Sequence, residues 1–216
     1  LSHGTRRTSA ERADVIVYAG SLVNPALLDY KKDGCEVYNS AKMTLEEVIA
    51  VMAPAAKAGK TVVRLHTGDP CVYGAHREQM DELDRLGLAY EVCPGVSSFC
   101  GAAAALKAEY TLPNVSQSVI LTRMEGRTPV PEKEQIESFA AHGATMVIFL
   151  SAGQLPRLSE RLLAGGYAPD TPAAIVYKAT WPDEKVVRTT VGELAAAGAR
   201  EGITKTALIT VGGFLG

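Results

Sequence analysis

The stretch "TVVRLHTGDPCVYGAHREQMDELDRLG", residues 61–87, decides the fold class. Its first part, 61–67, is an apolar run that reads as a strand. A Thr-Gly-Asp-Pro turn comes next, and 76–87 then carries a helical pattern closed by Gly87. Taken alone, Gly-Asp-Pro is an ordinary turn, and an aspartate before proline is held extended. A buried strand ending in so small and polar a turn nevertheless poses a question of function. Glycine lets a ligand reach backbone N–H and C=O groups directly.

The same alternation continues in both directions and predicts an α/β fold with largely parallel strands. Strands are expected at 13–20 and 36–40. A helix is expected at 44–59, with Thr44 as cap, Glu47 completing a capping box and Gly59 as stop. Residues 89–95 read as a further strand and 97–108 as an alanine-rich helix with Ser97 or Ser98 as cap. "EYTLPNVSQ" (109–117) breaks the periodicity and reads as a link, giving an N-terminal lobe over 1–112 and a C-terminal lobe over 113–216. In the second lobe strands are expected at 118–123, 145–151, 172–180 and 205–216. Helices are expected at 132–143, 155–166 and 191–202, with 125–131 a loop.

Composition narrows the class. Hydrophobic residues make up 47% and charged residues 21% of the 216, as in an ordinary globular protein. A formal charge of −2 offers no global attraction for nucleic acid or a membrane, so any anion site is local. No apolar run is long enough to span a bilayer. Cys35, Cys71, Cys93 and Cys100 are scattered without metal-ligand spacing. They read as reduced thiols in a cytoplasm, with no protein-bound metal. "LSHGTRRTSAER" (1–12) lacks the apolar core of a secretory signal and reads as a tag remnant or a chain without its natural beginning.

In open α/β sheets ligands bind beyond the carboxyl ends of the strands. Those ends here are "AGS" (19–21), "HTGDP" (66–70), "CPGVSS" (93–98), "TRMEGRTP" (122–129), "LSAG" (150–153), "YKAT" (177–180) and "VGG" (211–213), all small or polar. The dinucleotide and P-loop glycine patterns are absent. Arg123 and Arg127 flank Glu125 and Gly126 in a proline-stiffened loop. They make either a salt-bridged surface loop or a carboxylate clamp, since guanidinium matches carboxylate in a bidentate fork. Lys178 either adds to that clamp or is a solvated lysine at a strand end. The default for His66 is a structural histidine, and for Trp181 a packing residue.

In this order the loops resemble the tetrapyrrole (corrin/porphyrin) methylase family. The resemblance is carried by "HTGDPCVYGAHREQMDEL", "VCPGVSSFCGAAAAL", "YTLPNVSQSVILTRMEGRTPVPE" and "VYKATWPDEKVVRTTV", and covers roughly 13–216. The last two are long and specific to one branch, whose members methylate a corrin precursor of cobalamin. The resemblance implies two α/β lobes with a cleft between them, a homodimer, and S-adenosylmethionine (SAM) held largely by backbone, with S-adenosylhomocysteine as product. Carried over by position, the cofactor contacts are Thr67, Gly68, Asp69, Val72, Ser97, Ser98, Leu150, Tyr177 and Ala179. The acceptor is an anionic tetrapyrrole rich in carboxylates, with Arg123, Arg127 and Lys178 as its partners.

The methyl acceptor is then a ring carbon, and alignment supplies much of the rate. No catalytic residue is assigned. His66, Tyr73 and Glu125 are candidates for a base by location alone. The family also opens with a strand and a Gly-x-Gly-Pro-Gly-Asp loop, which residues 1–12 do not show. Other acceptors in the family (an earlier precorrin, uroporphyrinogen III, a ribose of ribosomal RNA) remain alternatives, as does a non-catalytic anion-binding module. The RNA acceptor is disfavoured because no basic patch stands out.

Overall fold

A computed structural model describes residues 8–126 and 128–216. The segment 1–7, with most of the expected tag-like opening, and Arg127 lie outside the described residues. Two compact units are present, one closing at Ser97 and one running from Ser98 to Gly216.

In the first unit, α1 is helical over 8–12. It is followed by β1 (Val15–Tyr18), β2 (Glu36–Asn39), α2 (Leu45–Lys57), β3 (Val62–Leu65) and α3 (Arg77–Arg85). The three strands are parallel in the order β2-β1-β3. Central β1 is buried on both faces, which explains its unbroken apolar run. Val15 and Val17 pack with Val48 and Met52 of α2, while Ile16 packs with Ala10, Ala13, Val23 and Leu27. The capping box on α2 is present: Thr44 Oγ1 accepts from Glu47 N at 3.3 Å and Glu47 Oε2 from Thr44 N at 2.7 Å.

The strand expected at 89–95 does not form. Residues 89–94 are exposed and join no sheet among the described residues. Residues 20–30 instead supply two 3-10 segments, Gly20–Leu22 and Pro25–Tyr30.

The second unit holds α4 (Ser98–Leu106), β4 (Val119–Arg123), α5 (Ile136–Ala140), β5 (Thr145–Phe149), α6 (Leu155–Ala164), β6 (Pro172–Tyr177), β7 (Lys185–Thr190), α7 (Leu194–Arg200) and β8 (Ala207–Val211). Its sheet runs β4-β5-β8-β6-β7. β4 and β5 are parallel, while β8 is antiparallel to both β5 and β6. β4, β5 and β6 therefore point the same way, and their C-terminal ends lie at one edge.

Register alternates the sheet's faces by period two. Met146, Ile148, Ala173, Ile175, Ile209 and Val211 form one face, over Leu155, Leu158 and Leu162 of α6 and Leu194 and Ala197 of α7. The opposite face holds Val147, Ala174, Val176 and Thr210, also fully buried. α4 is tied to this unit through Tyr110, whose hydroxyl donates to Phe99 O at 2.7 Å and whose ring meets Phe214. Arg188 donates to Leu106 O at 2.8 Å.

Two elements of the second unit also differ from the sequence reading. β7 is absent from it, although Val186, Val187, Thr189 and Thr190 are β-branched; "WPDE" before the strand reads as loop and hides the run. The expected helix 132–143 is a 3-10 turn at Glu132–Glu134 and the short α5, separated by Gln135 in an extended conformation.

The core of the second unit dominates its stability. Leu158, with no exposed surface, should on replacement in Leu158→Ala cost about 2–5 kcal/mol. A lowered urea midpoint in circular dichroism checks this.

Candidate active site

Parallel β1, β2 and β3 bring their C-terminal ends to one edge of the first unit, and β3 leads there into the Gly-Asp-Pro turn. Gly68 has φ +56, so a left-handed residue bends the chain immediately after Thr67. Asp69 organises the turn and its neighbour. Its Oδ1 accepts from Cys71 N at 2.8 Å and its Oδ2 from Gly95 N at 2.6 Å. One carboxylate thus fixes its own turn and ties it to the 93–98 loop. Val72 N closes the turn onto Asp69 O at 3.3 Å.

Tyr73 (φ 55) and Ala75 (φ 47) are left-handed non-glycine residues flanking Gly74. A Cβ at Gly74 would sit 2.0 Å from Pro70 O, so only glycine fits. Thr67 is exposed, and Gly68, Asp69 and Val72 are half-buried. Ser97 is buried at the unit's last residue and Ser98 opens α4 in the other unit. His66 stands edge-on to His76, with ring centroids 5.8 Å apart.

The second unit presents an edge of its own. β4 ends at Arg123, β5 at Phe149 and β6 at Tyr177, with Arg123 opposite Phe149 and Tyr177 opposite Ala207 in register. Leu150 follows β5 with φ 54 and is 62% exposed, an apolar side chain held in water on unfavourable backbone. Lys178 (φ 46) and Thr180 (φ 71) flank Ala179. Strained backbone of this kind persists only where its surroundings over-determine it, and clusters at ligand sites. Of the eight left-handed non-glycine positions among the described residues, Tyr73, Ala75, Leu150, Lys178 and Thr180 fall in these strand-end loops.

Among the described candidates, Arg123, Lys178 and Glu125 are engaged by the protein's own groups. Arg123 uses both terminal nitrogens on its own loop, donating to Met124 O (3.1 Å), Thr128 O (3.3 Å), Thr128 Oγ1 (2.9 Å) and Pro129 O (3.1 Å). Lys178 Nζ pairs with Asp183 at 2.5 Å and lies over the rings of Tyr177 and Trp181. Its pKa is raised, chiefly by the Asp183 hydrogen bond.

Glu125 is paired with Arg157 and Arg161. Its own backbone N–H first, and the two guanidinium groups after it, hold its carboxyl below the ordinary range against the opposing effect of partial burial. A carboxylate held ionised in this way is a weak base. Arg157 and Arg161 were not legible as site residues: they lie on α6, 32 and 36 residues from Glu125.

The family model of the tetrapyrrole (corrin/porphyrin) methylases matches residues 8–195, and the chain belongs to that family. Over 206 residues, 95% of this chain and 80% of the relative, it is 55% identical to the cobalt-precorrin-4 C(11)-methyltransferase of Methanocaldococcus jannaschii. It is 43% identical to the precorrin-4 C(11)-methyltransferase of Mycobacterium tuberculosis, over 95% of this chain and 82% of that one. The crystal structure of a cobalt-precorrin-4 methyltransferase superposes with a TM-score of 0.94 at 48% identity, covering 97% of this chain and 88% of that chain. Uroporphyrin-III C-methyltransferase of Thermus thermophilus, crystallised with S-adenosylhomocysteine, gives 0.77 at 26% identity over 97% and 90%. The branch indicated by the long motifs at 110–132 and 176–191 is thus borne out.

The Glu125 anchor has a defined pH window. Its folded pKa is depressed, so its contribution is complete above the unfolded value of about 4.3 and is lost as pH falls through the lower folded value. The amide resonance of Gly126 should stay unchanged from pH 8 to 5 and shift only below about 4. NMR titration checks this.

Proposed function

We propose that this chain is a SAM-dependent C-methyltransferase that methylates carbon 11 of precorrin-4 or cobalt-precorrin-4 in cobalamin biosynthesis. The observation that carries the reading is the concentration of left-handed backbone at the loops after β3, β5 and β6. These are the loops to which the family resemblance assigns the cofactor. A zwitterionic ligand read through main-chain N–H and C=O groups needs loops of this kind, and the exposed Leu150 offers it an apolar surface.

In this reading Thr67, Gly68, Asp69, Val72, Ser97, Ser98, Leu150, Tyr177 and Ala179 contact SAM. When bound, SAM supplies a methyl group on a sulfonium whose departure as a neutral thioether requires no general acid. Arg127 and Lys178 meet the carboxylates of the anionic acceptor, Lys178 by exchanging Asp183 for them, while Arg123, whose terminal nitrogens hold its own loop, lends its positive charge beside them. A carboxylate-rich acceptor explains basic side chains at strand ends in a protein of near-neutral charge. Asp69 acts through position, by keeping the turn and the 93–98 loop in register. The enzyme works as a cytoplasmic homodimer with no metal of its own. Among the described residues no helix is long and apolar enough to cross a membrane, and no acidic, cysteine and histidine cluster is arranged to hold a metal.

Calorimetric titration with S-adenosylhomocysteine tests the cofactor assignment. One molecule should bind per chain, and Asp69→Ala should weaken binding at least about tenfold by leaving the Gly95 and Cys71 N–H groups without their acceptor. No heat from a folded sample would overturn the reading.

A further inference from the structure

The loop that leaves β4 is held from two sides. On one side Arg123 gathers the carbonyls of Met124, Thr128 and Pro129. On the other, the Glu125 carboxylate accepts from Arg161 at 2.9 Å through Oε2 and pairs with it at 2.8 Å through Oε1, with Arg157 as a second partner. Gln154 Nε2 donates to the Glu125 carbonyl at 3.1 Å. Arg161 reaches further along the loop, donating to Gln135 Oε1 at 2.7 Å, and Gln135 Nε2 donates in turn to Val130 O at 3.3 Å. At the loop's root, Met124 N donates to buried Ser151 Oγ at 2.9 Å.

This is more than surface decoration. Exposed ion pairs contribute little and cost side-chain entropy. Here the side chains of Arg161 and Glu125 are only 19% and 23% exposed. Arg161 also balances Glu137, at 3.4 Å. Partly buried charges bonded at several atoms each favour one geometry of the loop. The loop they define carries few apolar contacts of its own; within it only Met124 is buried among the described residues. Its described residues, 124–126 and 128–131, are therefore held by the polar network.

We propose that Glu125 and Arg161 are positioning residues for the methyl acceptor. They fix the loop before the acceptor arrives, so that binding a polyanionic tetrapyrrole does not bear the entropic cost of ordering it. Alignment of the ring carbon benefits for the same reason. The inference rests on the acceptor reading given above and adds to it two residues on separate elements that act through the loop they hold.

The test uses the full chain, with Glu125→Gln and Arg161→Gln, and with Glu125→Asp and Arg161→Lys as variants that keep the charge. The probes are uroporphyrin III, a stable carboxylate-rich tetrapyrrole followed by its fluorescence, and S-adenosylhomocysteine followed by calorimetry. The neutral variants should weaken uroporphyrin binding about tenfold while leaving S-adenosylhomocysteine affinity within about twofold, and the charge-keeping variants should fall between them and wild type. The double neutral variant should be no worse than either single one, because each breaks the same network. Amide exchange at Gly126 and Thr128 should rise without change in β5. Unchanged uroporphyrin affinity in variants whose loop has loosened overturns the inference, as does a parallel loss of both ligands. A wild-type protein that binds S-adenosylhomocysteine and no uroporphyrin overturns the acceptor reading and this inference with it. That case is recognised because it appears before any substitution is made.

Discussion

The antiparallel insertion of β8 between β5 and β6 is the constraint on which the second unit depends. Because β8 opposes both neighbours, β4, β5 and β6 keep a common direction. Three strand-to-loop exits therefore deliver Arg123, Leu150 and Tyr177 to one edge of one sheet. A sheet in which β6 ran the other way would send the Tyr177–Thr180 segment to the far edge. The core that holds this arrangement is deep: Met146, Ile148, Ile175, Ile209 and Val211 are fully buried. Such a core can carry left-handed residues costing roughly 1–3 kcal/mol each at its rim.

The first unit reaches a similar result by different means. Its parallel sheet aligns the strand ends automatically, and a single carboxylate then arranges the loops. Asp69 accepts backbone N–H groups from Cys71 and from Gly95, 26 residues later in the chain. Gly74 lets the following turn close over Pro70. The acidic residue within the Gly-Asp-Pro motif is thus engaged by the protein's own backbone. The motif's chemical role lies in the main-chain surface it shapes.

Much of this was legible in the sequence because its causes are local. Thr44 and Glu47 stand at the spacing of a capping box and form one. The apolar run of β1 and the tight exit from β3 mark a buried parallel sheet, and the family is carried by strand-end motifs. What was not legible is tertiary. Residues 89–95 have the apolar composition of a strand but no ladder neighbour among the described residues. β7 exists because β6 offers it an antiparallel edge from Pro172 to Tyr177. Glu125 reads as a possible base until α6 brings Arg157 and Arg161 to it across more than thirty residues. Likewise, Arg123 and Lys178 read either as surface charges or as a carboxylate clamp. Folding gives the first a set of loop carbonyls and the second Asp183 with two aromatic rings.

The central claim is that these strand-end loops serve methyl transfer to one ring carbon of a corrin precursor. It is tested most directly by supplying SAM labelled with carbon-13 in its methyl group, together with cobalt-precorrin-4, and locating the label in the product by carbon NMR. The account predicts a single labelled methyl on carbon 11. A label on another ring carbon or on a heteroatom, or no transfer from protein that binds S-adenosylhomocysteine, would contradict it.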